Sequence, residues 1–181
     1  MIDATLHAPF EGVWRLTQGW GSNAKFYAQF RYDDVPLQGH NGLDFALPIG
    51  TAIHAVDAGK VLWVGFEPGG FGNYVKLMHS WGESLYAHLD TVPMLGMYQH
   101  VKAGEFIGRS GNSGACIKSK WGNGAHLHFG IRLNPYKRND GWGGFSDPLA
   151  HIPSDCYTLG RGMGEDEDEP TGIGHEDKGR P

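Results

Sequence analysis

The most informative stretch of the chain is Ala125-His126-Leu127-His128-Phe129-Gly130-Ile131-Arg132-Leu133. From Leu127 to Leu133, every second residue is large and apolar, which is the period of a β-strand with one face in a core. His126 and His128 then project together from the other face, because side chains two residues apart on a strand point the same way. Two adjacent imidazoles favour a metal or catalytic site, although two solvent-facing histidines on an edge strand would give the same pattern.

Further strand-like segments lie between glycine and proline turns on the N-terminal side of this stretch. They span residues 51–57, 60–66, 74–79, 84–89 and 105–109. Glycine supplies 29 of the 181 residues, and short strands joined by tight turns predict antiparallel hairpins. We therefore expect a mostly β fold with an antiparallel sheet core, few short helices (near residues 24–30 and 147–152) and a long loop over residues 111–124.

Charge and composition limit the function classes and the domain count. The net charge is −5 without a basic run between aromatics, which disfavours nucleic-acid binding. Apolar runs are too short for a membrane-spanning helix, which needs about 18 residues. Residues 161–181 carry seven acidic against three basic side chains and no aromatic. They predict a disordered acidic tail after a single folded domain, residues 1–160.

Two more segments carry chemistry-bearing side chains. In His40-Asn41-Gly42-Leu43-Asp44 an imidazole precedes a carboxylate by four residues, and in Tyr86-Ala87-His88 a histidine shares a strand face with a tyrosine. One carboxylate with two imidazoles suits Zn²⁺ and leaves its fourth position open, as in catalytic zinc sites. Taken singly, Asp44 could instead cap a turn, and His88 could be a half-buried histidine bonded to a backbone carbonyl.

Together these segments resemble peptidase family M23, the zinc metallopeptidases of lysostaphin or LytM type. The resemblance covers residues 39–46, 48–51, 55–61, 86–89, 101–105, 107–114 and 126–129. It implies an antiparallel β-sheet core of the M23 type, with long loops that wall an active-site groove. Residues 115–124 depart from the family pattern in their length, and Gly130 stands where a glutamate is usual.

The resemblance also implies a role for each candidate residue. His40, Asp44 and His128 match the zinc ligands, and His88 and His126 match the catalytic histidines. Tyr32, eight residues before His40, is a counterpart of a tyrosine near the scissile carbonyl.

The implied function is a zinc endopeptidase that cuts stem or cross-bridge peptides of bacterial peptidoglycan, in a groove lined by aromatics such as Trp20, Trp121 or Trp142. The alternatives are a catalytically inactive M23-like module that binds or activates another wall hydrolase and, less favoured, a β-barrel metal protein of the cupin kind.

Residues 1–11 lack the basic region of a secretory signal. We expect an enzyme that acts at the cell wall or periplasm, with a monomer favoured. The missing signal suits a phage lysin released by a holin or carried on a virion, and a bacterial enzyme is the alternative.

Overall fold

The computed structural model describes residues 6–117 and 122–160, which form short strands around one large sheet. In chain order the strands are β1 (Trp14–Gln18), β2 (Arg31–Tyr32), β3 (Val35–Pro36), β4 (Leu43–Phe45), β5 (Ala52–His54), β6 (Gly59–Glu67), β7 (Gly72–Met78), β8 (Gly82–Leu89), β9 (His100–Val101), β10 (Phe106–Arg109), β11 (Leu127–Leu133) and β12 (Tyr157–Leu159). One helical turn, α1 (Ala24–Tyr27), follows β1. The mostly β prediction is confirmed, and the helix expected near residues 147–152 is replaced by turns.

The large sheet has eight strands in the order β12-β1-β4-β11-β8-β7-β6-β9, and two small sheets pair β10 with β5 and β2 with β3. Neighbouring strands are antiparallel except at one edge, where β12 runs parallel to β1. The expected antiparallel core is confirmed. The edge strand β12 can run parallel to β1 because the two strands lie far apart along the chain, so no hairpin dictates their relative direction.

β11 lies at the centre of the large sheet and places the site. Its Leu127, Phe129 and Ile131 are fully buried in the main hydrophobic core, and each such side chain contributes about 1.5–3 kcal/mol of burial free energy. His128 faces the other side, opposite Asp44 on β4 and Ala87 on β8. The alternation predicted from the sequence therefore sets one face for the core and one for chemistry.

The predicted strands 51–57, 60–66, 74–79, 84–89, 105–109 and 125–133 correspond to β5, β6, β7, β8, β10 and β11. The sequence did not indicate β1, β4 and β12, which have three to five residues each. The predicted acidic tail, residues 161–181, lies outside the described residues. No helix in the described ranges has the length and hydrophobicity needed to cross a membrane.

Candidate active site

Three ligand atoms from separate parts of the chain form a tight triangle. His40 Nε2 lies 3.1 Å from Asp44 Oδ1 and 2.9 Å from His128 Nδ1, and the third side, from His128 Nδ1 to Asp44 Oδ1, is 3.0 Å. Asp44 and His128 are cross-strand neighbours on β4 and β11, and His40 reaches them from the segment just before β4. All three side chains are buried.

The chemistry of this triangle fits a divalent cation. The other ring nitrogen of His40, Nδ1, donates to the Gly19 carbonyl oxygen at 3.1 Å, so Nε2 of the neutral ring presents a lone pair. Three lone-pair atoms at this spacing repel one another unless protons or a cation lie among them. Tetrahedral Zn²⁺ with bonds of about 2.0–2.2 Å sets its ligands roughly 3.3–3.6 Å apart, close to the observed triangle.

Burial and neighbouring groups shift the pKa values of Asp44 and His128. Burial alone would raise the pKa of Asp44, but the charges and hydrogen bonds of His40 and His128 outweigh it and hold that pKa well below the usual range. Burial lowers the pKa of His128, against an opposing contribution from Asp44. An ionised carboxylate and an unprotonated imidazole are the forms in which aspartate and histidine bind a metal ion.

Gly42 makes room for His128. A Cβ at Gly42 would lie 2.6 Å from His128 Cε1 and 2.6 Å from the Phe129 carbonyl oxygen. The Gly42 backbone is not left-handed, so the glycine is not needed here for its conformation. A glycine is needed at this position because the chain just before β4 passes so close to the His128 ring that any side chain would collide with it.

His88 and His126 stand beside the triangle with their rings together. Their centroids are 4.4 Å apart, and His126 Nε2 is 3.8 Å from Asp44 Oδ2. Each Nδ1 donates 2.8 Å to a carbonyl oxygen, that of Ser113 for His88 and that of Gly124 for His126. Both rings therefore carry their lone pair on Nε2, the atom that can accept a proton.

Two properties of His88 set it apart from an ordinary strand residue. Its backbone is left-handed, with φ of 59°, although it lies in β8, a conformation that costs a non-glycine residue roughly 1–2 kcal/mol. Burial, followed by the neighbouring His126 and His128, lowers the pKa of His88 to about 3. Strain and a displaced pKa in one side chain are typical of functional sites.

A groove of about 510 Å³ opens onto the triangle and is bordered by Asp44, His88 and His128. Seven phenylalanine and tyrosine side chains line it: Phe26, Tyr27, Phe30, Tyr32, Phe66, Phe71 and Tyr74. Of the tryptophans expected there, Trp20 and Trp142 stack on each other at 4.6 Å and are not among the lining residues, and Trp121 lies outside the described residues. Within the described residues, phenylalanine and tyrosine therefore line the groove in place of the expected tryptophans.

A family model described as Peptidase family M23 matches residues 38–140, which contain the whole constellation. The chain belongs to peptidase family M23. This M23 chain is similar in structure to a zinc-containing peptidase from Vibrio cholerae, with a TM-score of 0.60 and 29% identity over 83% of this chain and 41% of that one. The resemblance inferred from the sequence is confirmed, and Zn²⁺ is the cofactor that His40, Asp44 and His128 fit.

Two curated relatives carry activities in their names. DD-carboxypeptidase/endopeptidase Mpg of Neisseria gonorrhoeae is 38% identical over 96 residues, 52% of this chain and 20% of that protein. Glycyl-glycine endopeptidase ALE-1 of Staphylococcus capitis is 31% identical over 144 residues, 76% of this chain and 36% of that protein. The M23 chain thus spans between a fifth and two fifths of these relatives' lengths.

Tyr32 and Tyr27 both line the groove, and only the first was expected from the sequence. The Tyr32 ring lies below the guanidinium groups of Arg132 and Arg138, at 5.8 and 5.6 Å, and its pKa is raised to about 12, mainly by burial. Tyr27 sits closer to the metal triangle, with its ring 5.1 Å from that of His40. Burial and then the charge of Asp44 raise the Tyr27 pKa. No motif marks Tyr27, and its position follows only from α1 folding over His40.

Proposed function

We propose that this protein is a zinc endopeptidase that hydrolyses peptide bonds in bacterial peptidoglycan. The observation that carries the proposal is the 2.9–3.1 Å triangle of His40 Nε2, Asp44 Oδ1 and His128 Nδ1, with two further imidazoles next to it. The peptidase names of Mpg and ALE-1 support an amide substrate. The groove that opens onto the triangle gives a substrate access to these side chains.

His40, Asp44 and His128 would hold the metal. When bound, Zn²⁺ supplies a Lewis acid for the scissile carbonyl and lowers the pKa of its water to roughly 7. The backbone carbonyl of Gly19 orients His40 for this role through the hydrogen bond to Nδ1.

His88 and His126 would move the protons. Each presents an Nε2 lone pair because its Nδ1 is bonded to a carbonyl oxygen. One accepts at Nε2 the proton lost by the attacking water and then donates that proton to the leaving amine. The other, when it is protonated at Nε2, would donate a hydrogen bond to the oxygen that becomes negative in the transition state. In this proposal Tyr32 contributes from the groove wall, where its half-buried phenol, with a pKa raised to about 12, stays protonated and can donate to a substrate carbonyl.

We further propose that residues 1–160 form the catalytic unit and that the acidic segment 161–181 takes no part in hydrolysis. The proposal is supported by β12, which pairs with β1 at the sheet edge and ends at Leu159. Because the proposed substrate is peptidoglycan, we propose that the enzyme acts at the bacterial cell wall. A phage origin remains one of two sources compatible with this activity, the other being a bacterial enzyme.

The test is digestion of purified sacculi of different cross-link chemistry by the full-length, zinc-loaded protein, with the released muropeptides identified by mass spectrometry. We expect amide cleavage by the wild type, none by His128→Ala because it loses zinc, and none by His126→Ala although its zinc content is retained. His100→Ala, which removes an exposed histidine in β9, is the matched control and should cut normally.

Loss of cleavage in both site variants with full activity of the control would support the proposal. Unchanged cleavage by metal-free His128→Ala would overturn it. An inactive M23-like module would give zinc-loaded wild-type protein that releases nothing from any sacculus.

A further inference from the structure

A second cluster of metal-binding side chains lies next to the first and shares no residue with it. His88, Cys116 and His126 each offer one ligand atom, and these atoms lie within 4.8 Å of one another. Cys116 belongs to residues 115–124, the part of the chain whose length departs from the M23 pattern. The peptidase chemistry proposed above uses both histidines but assigns nothing to the thiol.

One backbone atom holds the thiol beside the first imidazole. The Ser113 carbonyl oxygen accepts the His88 Nδ1–H at 2.8 Å and the Cys116 Sγ–H at 3.2 Å. His126 completes the cluster from the other side, with its ring 4.4 Å from that of His88. His88 is buried, whereas Cys116 and His126 are partly exposed, so an ion can enter from solvent.

We propose that His88, Cys116 and His126 form a second, inhibitory metal site that takes Zn²⁺ or a softer divalent ion such as Cd²⁺. A thiolate with two imidazoles is a soft donor set that selects such ions over Mg²⁺ or Ca²⁺. Ligands of tetrahedral Zn²⁺ lie roughly 3.3–3.8 Å apart, so the cluster closes by about 1 Å through side-chain rotation. Binding releases the thiol proton to solvent as the sulfur becomes a thiolate ligand.

Occupancy of this site would stop hydrolysis because the ion binds the two imidazoles that the proposed reaction uses to accept and donate protons. This consequence rests on the proposed function, whereas the binding itself does not. The enzyme would therefore be active with one zinc ion per chain and inhibited by the next.

The binding test uses reduced, zinc-loaded protein titrated with Cd²⁺, read by the ultraviolet charge-transfer absorption of a cadmium–thiolate bond and by isothermal titration calorimetry. The first site contains no sulfur, so the absorption reports only the second. We expect the wild type to bind one further ion with this absorption, and prior addition of excess Zn²⁺ to suppress it. Cys116→Ser should lose it, while Cys156→Ala, which removes the other thiol, should retain it.

Inhibition is measured as the Zn²⁺ concentration that halves sacculus cleavage. Cys116→Ser should need more than tenfold as much ion, since loss of even an outer-shell partner costs about 10–100-fold in metal affinity. Retention of the first zinc ion by this variant shows that it is folded. Absence of the thiolate absorption from the wild type, or its persistence in Cys116→Ser, would overturn the second site. Thiolate absorption in a protein that cuts no sacculus would instead refute the peptidase proposal alone.

Discussion

Replacement of Gly42 by alanine tests how the chain holds the metal triangle. The new Cβ would lie 2.6 Å from His128 Cε1 and 2.8 Å from His128 Nε2. Carbon atoms in contact are normally about 3.5–4.0 Å apart, so the ring must retreat by roughly 1 Å. His128 has little space for this, because it is 4% exposed and Phe71 packs 5.6 Å from its ring.

The strand cannot move in place of the ring without further cost. The same Cβ would lie 2.6 Å from the Phe129 carbonyl oxygen, and Phe129 is paired with neighbours on both sides in the sheet. Overpacking of this kind typically costs about 1–3 kcal/mol. A displacement of roughly 1 Å also breaks a triangle with 3 Å sides, so we expect zinc affinity to fall by at least 10–100-fold.

Two measurements separate these effects. Urea unfolding of metal-free protein reports the steric cost alone, and competition with a chromophoric chelator reports zinc affinity. Gly69→Ala is the matched control, since no atom lies within 4 Å of its added Cβ and its backbone is not left-handed. We expect its unfolding free energy to change by less than about 0.5 kcal/mol. A Gly42→Ala protein with wild-type unfolding free energy and wild-type zinc affinity would refute the clearance argument.

Three further predictions concern His88, Tyr27 and His79. Both His88→Gly and His88→Ala remove the imidazole, but only glycine adopts φ of 59° without strain, so the glycine variant should unfold with a free energy about 1 kcal/mol higher in urea titrations; equal values would contradict the strain. Tyr27→Phe keeps the ring that packs on His40 and should keep zinc affinity, whereas Tyr27→Ala should weaken it about tenfold in chelator competition; equal affinities in the two variants would show that the packing is unimportant. Burial lowers the pKa of His79, which bonds to the Ala58 carbonyl and Ser84 hydroxyl, so the unfolded chain binds more protons and stability falls as pH drops below about 6.5. In urea titrations at a series of pH values below about 6.5, the free energy of unfolding of the wild type should fall by up to about 1.4 kcal/mol more per pH unit than that of His79→Gln. Parallel plots of unfolding free energy against pH for the two proteins would contradict this.

The parts of the site carried by regular strands could be predicted from the sequence. Alternation from Leu127 to Leu133 indicates both the strand and its two faces, and it places His128 away from the core. Asp44 was recognisable by its spacing from His40, although the three residues of β4 are too few to show a period. Their pairing with β11 is what sets the carboxylate opposite His128.

The parts that depend on loops could not be predicted. The carbonyl groups of Gly19, Ser113 and Gly124 orient three of the histidines, and a backbone carbonyl carries no sequence signal. The left-handed backbone of His88 arises from tertiary contacts such as the bond from its N–H to the Phe71 carbonyl oxygen at 2.8 Å. Likewise, nothing in residues 24–27 indicates that Tyr27 will cover His40.

The most direct test of the account is crystallographic location of zinc in the zinc-loaded protein from an anomalous difference map at the zinc absorption edge. With one equivalent of zinc, we predict a single strong peak at bonding distance, about 2.0–2.2 Å, from His40 Nε2, Asp44 Oδ1 and His128 Nδ1. A peak bound by other side chains, or none in a protein that cuts sacculi, would contradict the account.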